Sequence, residues 1–351
     1  MPLRIPNPGS DMRRLIEIYR ILHKGTAGVE QFDLDDVGRI LTSAKQASSR
    51  GAVGAAALAR SKTVDRSRDP IFNQSKMYSE LFRMLGWLRP VNGSRQVFRN
   101  TILGDQLAVE FAASPALANG LFRESLLGIC FPNPLTDNIG IRNQRPVSWL
   151  LRLMARLDGV ITRHEMIIGL LAVVDDQAPN ALELAAGAVS SVRGERAKLM
   201  SAVGEEAQRA SVTVVTLENY TRFPVGVMKS DQIGWSRKQR LVGIYERPVE
   251  ALVLTQSGQA AARWAAEAID VRESSLALYS IAERAAFATR SFCGMLLRAG
   301  LARHYLADQL AVAEAASRPI LQGLSLPEPE HVLYSPVQQA SDEVLDLAQS
   351  S

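Results

Sequence analysis

The sequence predicts a mainly α-helical fold with tandem winged-helix or helix-turn-helix subdomains, short β-hairpin wings and a C-terminal helical region. A repeated motif carries this prediction. Residues 85–87 are Leu-Gly-Trp and lead through a basic segment to Thr-Ile-Leu-Gly at 101–104. Residues 233–235 are Ile-Gly-Trp and lead to Thr-Gln-Ser-Gly at 255–258. A hydrophobic helix precedes each Gly-Trp, and each threonine is suited to open the next helix, which is the pattern of a winged-helix unit.

The division into subdomains follows from the chain length and from one proline-rich loop. A chain of 351 residues is long enough for two or three subdomains. We expect an N-terminal winged-helix-like subdomain at 1–130. A central helix-turn-helix and second winged-helix subdomain follows at 131–270, and a C-terminal helical segment with a proline-rich tail at 271–351. The loop 131–146 has three prolines and no periodicity, which marks the first boundary.

The first elements follow from helical spacing and from turn residues. Apolar residues at helical spacing predict a helix over 11–24. Asp33 is suited to cap a second helix that runs to about residue 48. Residues 49–62 are rich in alanine, glycine and serine and either continue that helix or form a connector. A helix over 72–86 precedes the first Gly-Trp, and an Asn-Gly pair at 92–93 predicts the turn of a β-hairpin.

The remaining elements are also mainly helical. Helices are predicted at 101–113, 115–128, about 147–159, 179–192 and 194–210, and then from 274 to about 317 with a break at Gly300. Thr162 with Glu165 three residues later forms a capping-box signature. The segment 212–220 is either a short strand or holds the cap, Thr216, of a helix over 217–232. The tail has four prolines and a short final amphipathic helix.

Composition excludes several classes and leaves others open. No stretch approaches the ~20 apolar residues of a membrane span, and the N-terminus lacks an apolar signal core, so a cytoplasmic protein is expected. Two cysteines in apolar surroundings suggest buried, reduced thiols. The net charge is +4, and 33 of the 40 basic residues are arginine. Arginine suits phosphate and guanine, but a GC-rich genome also replaces lysine with arginine, so the charge alone decides nothing.

Polar and basic side chains in five elements are candidates for contacts with double-stranded DNA. Arginine and asparagine pair with guanine and adenine edges, and basic wings contact phosphates. Each element has a plain structural alternative: a solvated turn, an exposed helix face or a connector. The candidates are Asn73 and Lys76 in helix 72–86; Arg95 and Arg99 in the first hairpin; Asn138, Arg142, Asn143 and Arg145 in the loop; Arg222, Lys229 and Gln232 in helix 217–232; and Arg237, Lys238 and Arg240 in the second hairpin.

The sequence contains no recognisable catalytic centre. A metal-dependent nuclease of the common restriction fold needs an Asp/Glu-x-Lys triplet, and none of the seven lysines follows an acidic residue at that spacing. The four histidines do not pair at a metal-binding spacing and have no neighbouring cysteine. Phosphate-binding glycine loops and nucleophile motifs are also missing. No catalytic residue, metal ligand or cofactor is therefore expected in this chain.

Three stretches together resemble the DNA-recognition part of type IIS restriction endonucleases of the AlwI and FokI kind. They are the Gly-Trp and Thr-x-x-Gly units at 78–108 and 220–262, the segment 131–134 followed by Gly140 and residues 145–146, and the segment 332–339. The resemblance implies site-specific binding of double-stranded DNA, with Mg²⁺-dependent cleavage at a distance. Because the chain ends where the cleavage domain is expected, cleavage and its Mg²⁺ would belong to a partner nuclease domain or subunit.

Two other functional classes stay open at the level of sequence. One is a helical interaction or scaffold protein of a bacterial defence operon, with the alanine-rich helices 258–317 and the tail as partner surfaces. The other is a winged-helix transcription regulator, although such proteins are usually shorter. DNA affinity, or its absence, distinguishes the first of these from a DNA-binding protein.

Overall fold

The computed structural model is mainly helical, with short strands that form two three-stranded antiparallel sheets and smaller pairs. It describes residues 3–9, 11–49, 51–61, 66–91, 94, 96–136 and 142–335. The predicted final helix, beyond residue 335, lies outside these ranges. No helix in the described part has both the length and the apolar character needed to span a bilayer.

The first repeat comprises residues 12–113 and contains a three-stranded sheet with the order β1-β5-β4. Both strand pairs in this sheet are antiparallel. Its elements are α1 (Met12–Gly25), β1 (Phe32–Asp33), α2 (Leu34–Ser43), β2 (Ser48–Ser49), β3 (Ala52–Val53), α3 (Ala55–Ala59), α4 (Pro70–Met84), β4 (Leu88–Pro90), β5 (Val97–Asn100) and α5 (Ile102–Ala113). Helix α6 (Pro115–Gly128) follows.

The second repeat comprises residues 146–267, and its antiparallel sheet has the corresponding order β6-β8-β7. Its elements are α7 (Pro146–Arg156), β6 (Val160–Thr162), α8 (Arg163–Met166) with a π-helical continuation (Ile167–Leu171), α9 (Ala181–Val192), α10 (Arg196–Arg209), α11 (Val214–Tyr220), α12 (Arg222–Met228), β7 (Ser236–Leu241), β8 (Val249–Leu254) and α13 (Gln256–Glu267). In both repeats a helix, a strand and further helices precede a hairpin whose second strand lies in the centre of the sheet. The two repeats therefore share the order of their elements and the topology of their sheets.

The C-terminal region packs against α6 and against the second repeat. Its elements are β9 (Ile269–Asp270), α14 (Ile281–Ala299), α15 (Ala307–Ala316), α16 (Arg318–Gly323) and β10 (Val332–Leu333), which pairs with β9 in parallel. Helix α14 ends at Gly300, whose φ of 114° favours glycine. The main hydrophobic core runs from Leu3 to Leu333 and draws on all three predicted subdomains, while a smaller cluster surrounds Phe287.

The repeated motif forms a joint between hairpin and helix, as its second copy shows. Thr255 caps α13: its Oγ1 accepts from the backbone N–H of Gly258 at 3.1 Å and donates to the carbonyl of Gly234 at 2.6 Å. The backbone N–H of Thr255 donates to the carbonyl of Trp235 at 3.0 Å. A Cβ on Gly258 would lie 1.9 Å from that carbonyl oxygen, so only glycine allows this approach.

The first copy repeats every contact of this joint. Thr101 Oγ1 accepts from the N–H of Gly104 at 3.0 Å and donates to the carbonyl of Gly86 at 2.6 Å. Its own N–H donates to the carbonyl of Trp87 at 3.1 Å. A Cβ on Gly104 would lie 2.4 Å from that carbonyl oxygen and 2.0 Å from the hydroxyl of Tyr19. The repeated motif therefore has a structural role: it fixes the Gly-Trp turn to the start of the next helix. It occurs twice because both repeats contain this connection.

Several predicted boundaries need correction. The helix expected over 72–86 is α4, which starts at Pro70 because Asp69 caps it and proline suits its first position. Residues 49–62 contain strands and the short α3 instead of one continuous helix. The helix expected over 217–232 starts earlier, because Thr213 caps α11. It then breaks at Thr221, since Pro224 has no N–H for the carbonyl of Tyr220 and its ring clashes with that carbonyl.

Candidate nucleic-acid interface

A basic cleft lies between helix α12 and the β7–β8 hairpin, in the second repeat. Its volume is about 490 Å³, and residues 7–9 of the N-terminal segment form part of its lining. Four cationic side chains and one carboxylate line it: Arg163, Arg222, Lys229, Lys238 and Glu250. The cleft therefore has an excess of positive charge and suits an anionic ligand.

The charges in this cleft are mostly uncompensated. Arg222 and Lys229 are exposed, and neither side chain makes a hydrogen bond or ion pair within the described part of the chain. Lys238 Nζ lies 2.6 Å from Glu250 Oε1, but the two side chains are 44% and 68% exposed, so water screens this pair. Arg163 is held against the helix break, because its Nε donates to Thr221 Oγ1 at 2.9 Å.

The β7–β8 hairpin extends the basic surface. Lys238 pairs in register with Leu252 and Arg240 with Glu250, so Lys238 and Arg240 share one face of the sheet. Arg237 lies on the opposite face and is exposed, as is Arg240. Beyond β7, the side chain of Val242 is 82% exposed. The hairpin therefore presents cations on both faces next to an apolar residue in the connecting loop.

The loop that joins β7 to β8 is anchored to the body of the repeat. Tyr245 donates from its hydroxyl to Glu165 Oε1 at 2.8 Å, and Arg193 Nε donates to the same oxygen at 2.9 Å. Glu165, a member of the predicted capping box with Thr162, is fully buried. Burial, and then the negative charge of Glu165, raises the pKa of the Tyr245 phenol, which stays a neutral donor. These bonds hold the hairpin in a fixed orientation.

The loop that contains Arg145 proves to be structural. The Arg145 side chain is 1% exposed, and its Nε donates to Asp270 Oδ1 at 2.6 Å. Its two terminal nitrogens donate to the carbonyls of Gly128 at 3.2 Å and Val271 at 3.0 Å. The predicted DNA contact is corrected on this ground: the guanidinium is buried and ties three parts of the chain together.

Two neighbouring candidates have similar structural partners. Asn143 donates to Asp175 Oδ1 at 2.9 Å and accepts from Arg272 at 3.2 Å, so both ends of its amide are engaged. Arg142 donates to the carbonyls of Leu171, at 3.1 Å, and Val173. Burial lowers the pKa of the Arg142 guanidinium. Arg142 therefore braces the end of the π-helical turn, and Asn143 links its loop to Asp175 and Arg272. Their DNA contacts stay predictions.

The other candidates are spread over the molecule. Gln232 donates from its amide to Asn119 Oδ1 at 2.6 Å, which links α6 to the turn before β7. Asn73 and Arg99, in α4 and β5, are half-buried, whereas Lys76 is exposed. Arg95 and Asn138 lie outside the described residues. The structure therefore brings together Arg222, Lys229, Lys238 and Arg240, with Arg237 on the other face of the same hairpin, and places the remaining candidates elsewhere.

Two exposed or cleft-lining residues were missed by the sequence analysis. Arg163 was seen only as part of a capped helix, although it reaches the cleft. Asn219 is exposed on α11 and lies three residues before Arg222. The spacing was the available signal, because the predicted helix over 217–232 contains Asn219 three residues before Arg222, and residues three apart are neighbours on a helix surface.

A scan against protein-family models finds no match for this chain, and a search of curated proteins finds no similar sequence.

Proposed function

We propose that this protein binds double-stranded DNA and that its two repeats are winged-helix units. The support is the order of the elements, with a helix, a strand, further helices and a hairpin in each repeat, and the sheet orders β1-β5-β4 and β6-β8-β7. Winged-helix units place the helix before the hairpin against a DNA groove and use the hairpin for backbone contacts. In the second repeat those two elements are the ones that form the basic cleft.

The observation that carries the proposal is the set of uncompensated cations on this surface. Arg222, Lys229 and Arg240 have no ionic partner within the described part of the chain, and they come from both the helix and the hairpin. Arg222 and Lys229 line the cleft, and Arg240 lies on the same face of the hairpin as the cleft residue Lys238. Exposed cations that the fold does not use are suited to neutralise backbone phosphates. A surface that served solubility alone would not need cations from two elements around one cleft.

We further propose that DNA binding serves the recognition step of a restriction system, on the ground of the sequence resemblance. In that case the nuclease, with its Mg²⁺, is a separate domain or polypeptide. Among the described residues there is no group of three or more His, Cys, Asp or Glu side chains arranged to hold a metal ion. Under this proposal cleavage would need the partner, whereas binding would need only this chain.

A protein-interaction role is the second candidate, and exposed apolar side chains in the C-terminal region favour it. Leu278 is 98% exposed, and Tyr305 and Val312 are 67% and 71% exposed. Apolar surface of this kind is common at protein contacts. A stable complex with a protein encoded beside this one, together with no affinity for duplex DNA, would favour this role over DNA binding.

Charge reversal on the second hairpin tests the proposed surface. We expect Arg237→Glu, Lys238→Glu and Arg240→Glu together to weaken binding of a fluorescent random-sequence duplex at least ~10-fold at ~50 mM salt, because phosphate contacts are lost. The readout is fluorescence anisotropy.

A second triple variant with the same change in net charge serves as the control. Lys24, Arg263 and Arg318 are exposed and lie outside both hairpins and the cleft lining, and their reversal to glutamate should cost much less affinity. If the two triple variants lost the same amount of duplex affinity, the effect would be one of net charge alone, and the hairpin would not be part of the interface. A wild-type protein with no duplex affinity at ~50 mM salt would remove the proposed function itself.

A further inference from the structure

The two repeats place different helices before their Gly-Trp turns. In the first repeat this position is held by α4, and in the second by α11 and α12 together. A symmetrical use of the repeats would bring both helices to DNA. The surroundings of the two helices, however, are not alike.

Helix α4 is covered by a segment of its own repeat. Of its 15 residues, all of which the structure describes, only Lys76 is exposed. The covering segment consists of the described residues 44–49, 51–61 and 66–69. Within it, Ser48 exchanges two hydrogen bonds with the amide of Gln74, at 2.9 and 3.4 Å. Arg66 stacks over the ring of Phe72 at 5.4 Å, so the segment is fastened along the first half of the helix.

Helices α11 and α12 have an open face. Their exposed residues are Val215, Asn219 and Arg222, and the next exposed residue is Lys229. The spacings of four, three and seven residues are those of neighbours on one side of a helix, and Thr221, where the helix breaks, keeps right-handed helical dihedral angles (φ −76°, ψ −9°). Gly226, the one position of this stripe that is buried, has no side chain to interrupt it.

The side chains on this face are available for a ligand. Neither the amide of Asn219 nor the guanidinium of Arg222 bonds to another described side chain or carbonyl. Glu218, beside Asn219, has its carboxylate in a hydrogen bond with His164 Nε2 at 3.0 Å. The face also continues into the basic cleft, because Arg222 and Lys229 line that cleft.

We infer that the repeats have different roles: α11–α12 reads the bases of a DNA duplex through Asn219 and Arg222, whereas α4 is closed to DNA by its covering segment. This inference rests on the proposed DNA-binding function and deepens it. Arginine forms two hydrogen bonds with the O6 and N7 edge of guanine, and asparagine does so with the N6 and N7 edge of adenine. A site with a guanine and an adenine close together in the major groove therefore fits this face. Lys229 and Lys238 hold a backbone phosphate in the cleft.

Selection from a random duplex library, followed by sequencing, tests this division. The wild-type protein should enrich one motif that contains a guanine and a nearby adenine. Arg222→Ala should lose the preference at the guanine and Asn219→Ala that at the adenine, with affinity for the selected site falling between about 5-fold and about 150-fold. Arg222→Lys keeps the charge but not the paired hydrogen bonds, so it should relax the preference while the salt dependence stays unchanged.

Lys76→Ala is the matched control, since it removes the exposed cation of α4. The inference requires that it leave both the motif and the affinity nearly unchanged. It is overturned if Lys76→Ala relaxes the motif as much as Arg222→Ala, if both α11–α12 variants select the wild-type motif, or if the wild-type protein binds duplexes without enriching any motif. No binding of duplex DNA by the wild-type protein would overturn the proposed function, and this inference with it.

Discussion

Gly258→Ala is expected to lower the free energy of unfolding by about 3 kcal/mol, because overpacking against a rigid group typically costs this much. The new Cβ would lie 1.9 Å from the carbonyl oxygen of Trp235, which belongs to the backbone and has no rotamer that moves it away. To relieve this clash, the start of α13 would have to move away from the hairpin, which would break the hydrogen bonds of Thr255. About 3 kcal/mol is a large part of the stability of an ordinary domain. Urea denaturation followed by far-ultraviolet circular dichroism measures the change.

Gly187→Ala is the matched control for this variant. Gly187 lies within α9, and a Cβ there meets no atom within 4 Å. Alanine favours the helix over glycine, so this substitution should stabilise the protein by up to ~1 kcal/mol. If the Gly258→Ala protein unfolded at the same urea concentration as the wild type, the backbone around Gly258 would be able to accommodate a Cβ. The close approach to Trp235 would then not explain why the motif contains glycine.

Arg145→Ala is expected to destabilise the protein by about 3–5 kcal/mol, the usual cost of removing one partner from a buried ion pair. The substitution leaves the carbonyls of Gly128 and Val271 without their donor and removes one cation from Asp270. It also removes a link between the end of α6, the loop before α7 and the start of the C-terminal region. The midpoint of thermal or urea unfolding measures the loss.

Arg156→Ala is the corresponding control at an exposed pair. Arg156 pairs with Glu183, and both side chains are more than half exposed, at 56% and 55%. Exposed pairs contribute between about 0 and 1 kcal/mol, so this variant should unfold almost as the wild type does. If Arg145→Ala were as stable as Arg156→Ala, Arg145 would not be a structural residue, and the predicted DNA contact would be open again.

Local signals in the sequence were sufficient for much of the fold. The threonines at 101, 162 and 255 cap helices as expected, because a cap involves only the next few residues. The two Gly-Trp hairpins were also expected, since each lies between clear helical segments. The mainly helical class is confirmed by the same elements. These features depend on short-range chemistry, which a single sequence shows directly.

The candidate site was harder to predict because it depends on distant contacts. Arg145 looked like a surface residue in a polar loop, yet its partner Asp270 is 125 residues away in the chain. Helix α4 looked as accessible as α12, because nothing in the sequence around Ser48 and Arg66 shows that these residues contact Gln74 and Phe72. The start of α11 was placed too late because Thr213 and Thr216 are both suitable caps, and Asn219, although inside the predicted helix over 217–232, was not recognised as an exposed polar residue.

The salt dependence of duplex binding by the wild-type protein tests the central claim most directly. We propose that about four to six cations of the second repeat lie near phosphates. The logarithm of the association constant should therefore fall against the logarithm of the salt concentration with a slope of about −3.6 to −5.4, at ~0.9 for each phosphate neutralised. Anisotropy titrations of one duplex between ~50 and ~200 mM salt give this slope. A duplex that does not bind at the lowest salt, or an affinity that does not change with salt, would contradict the account.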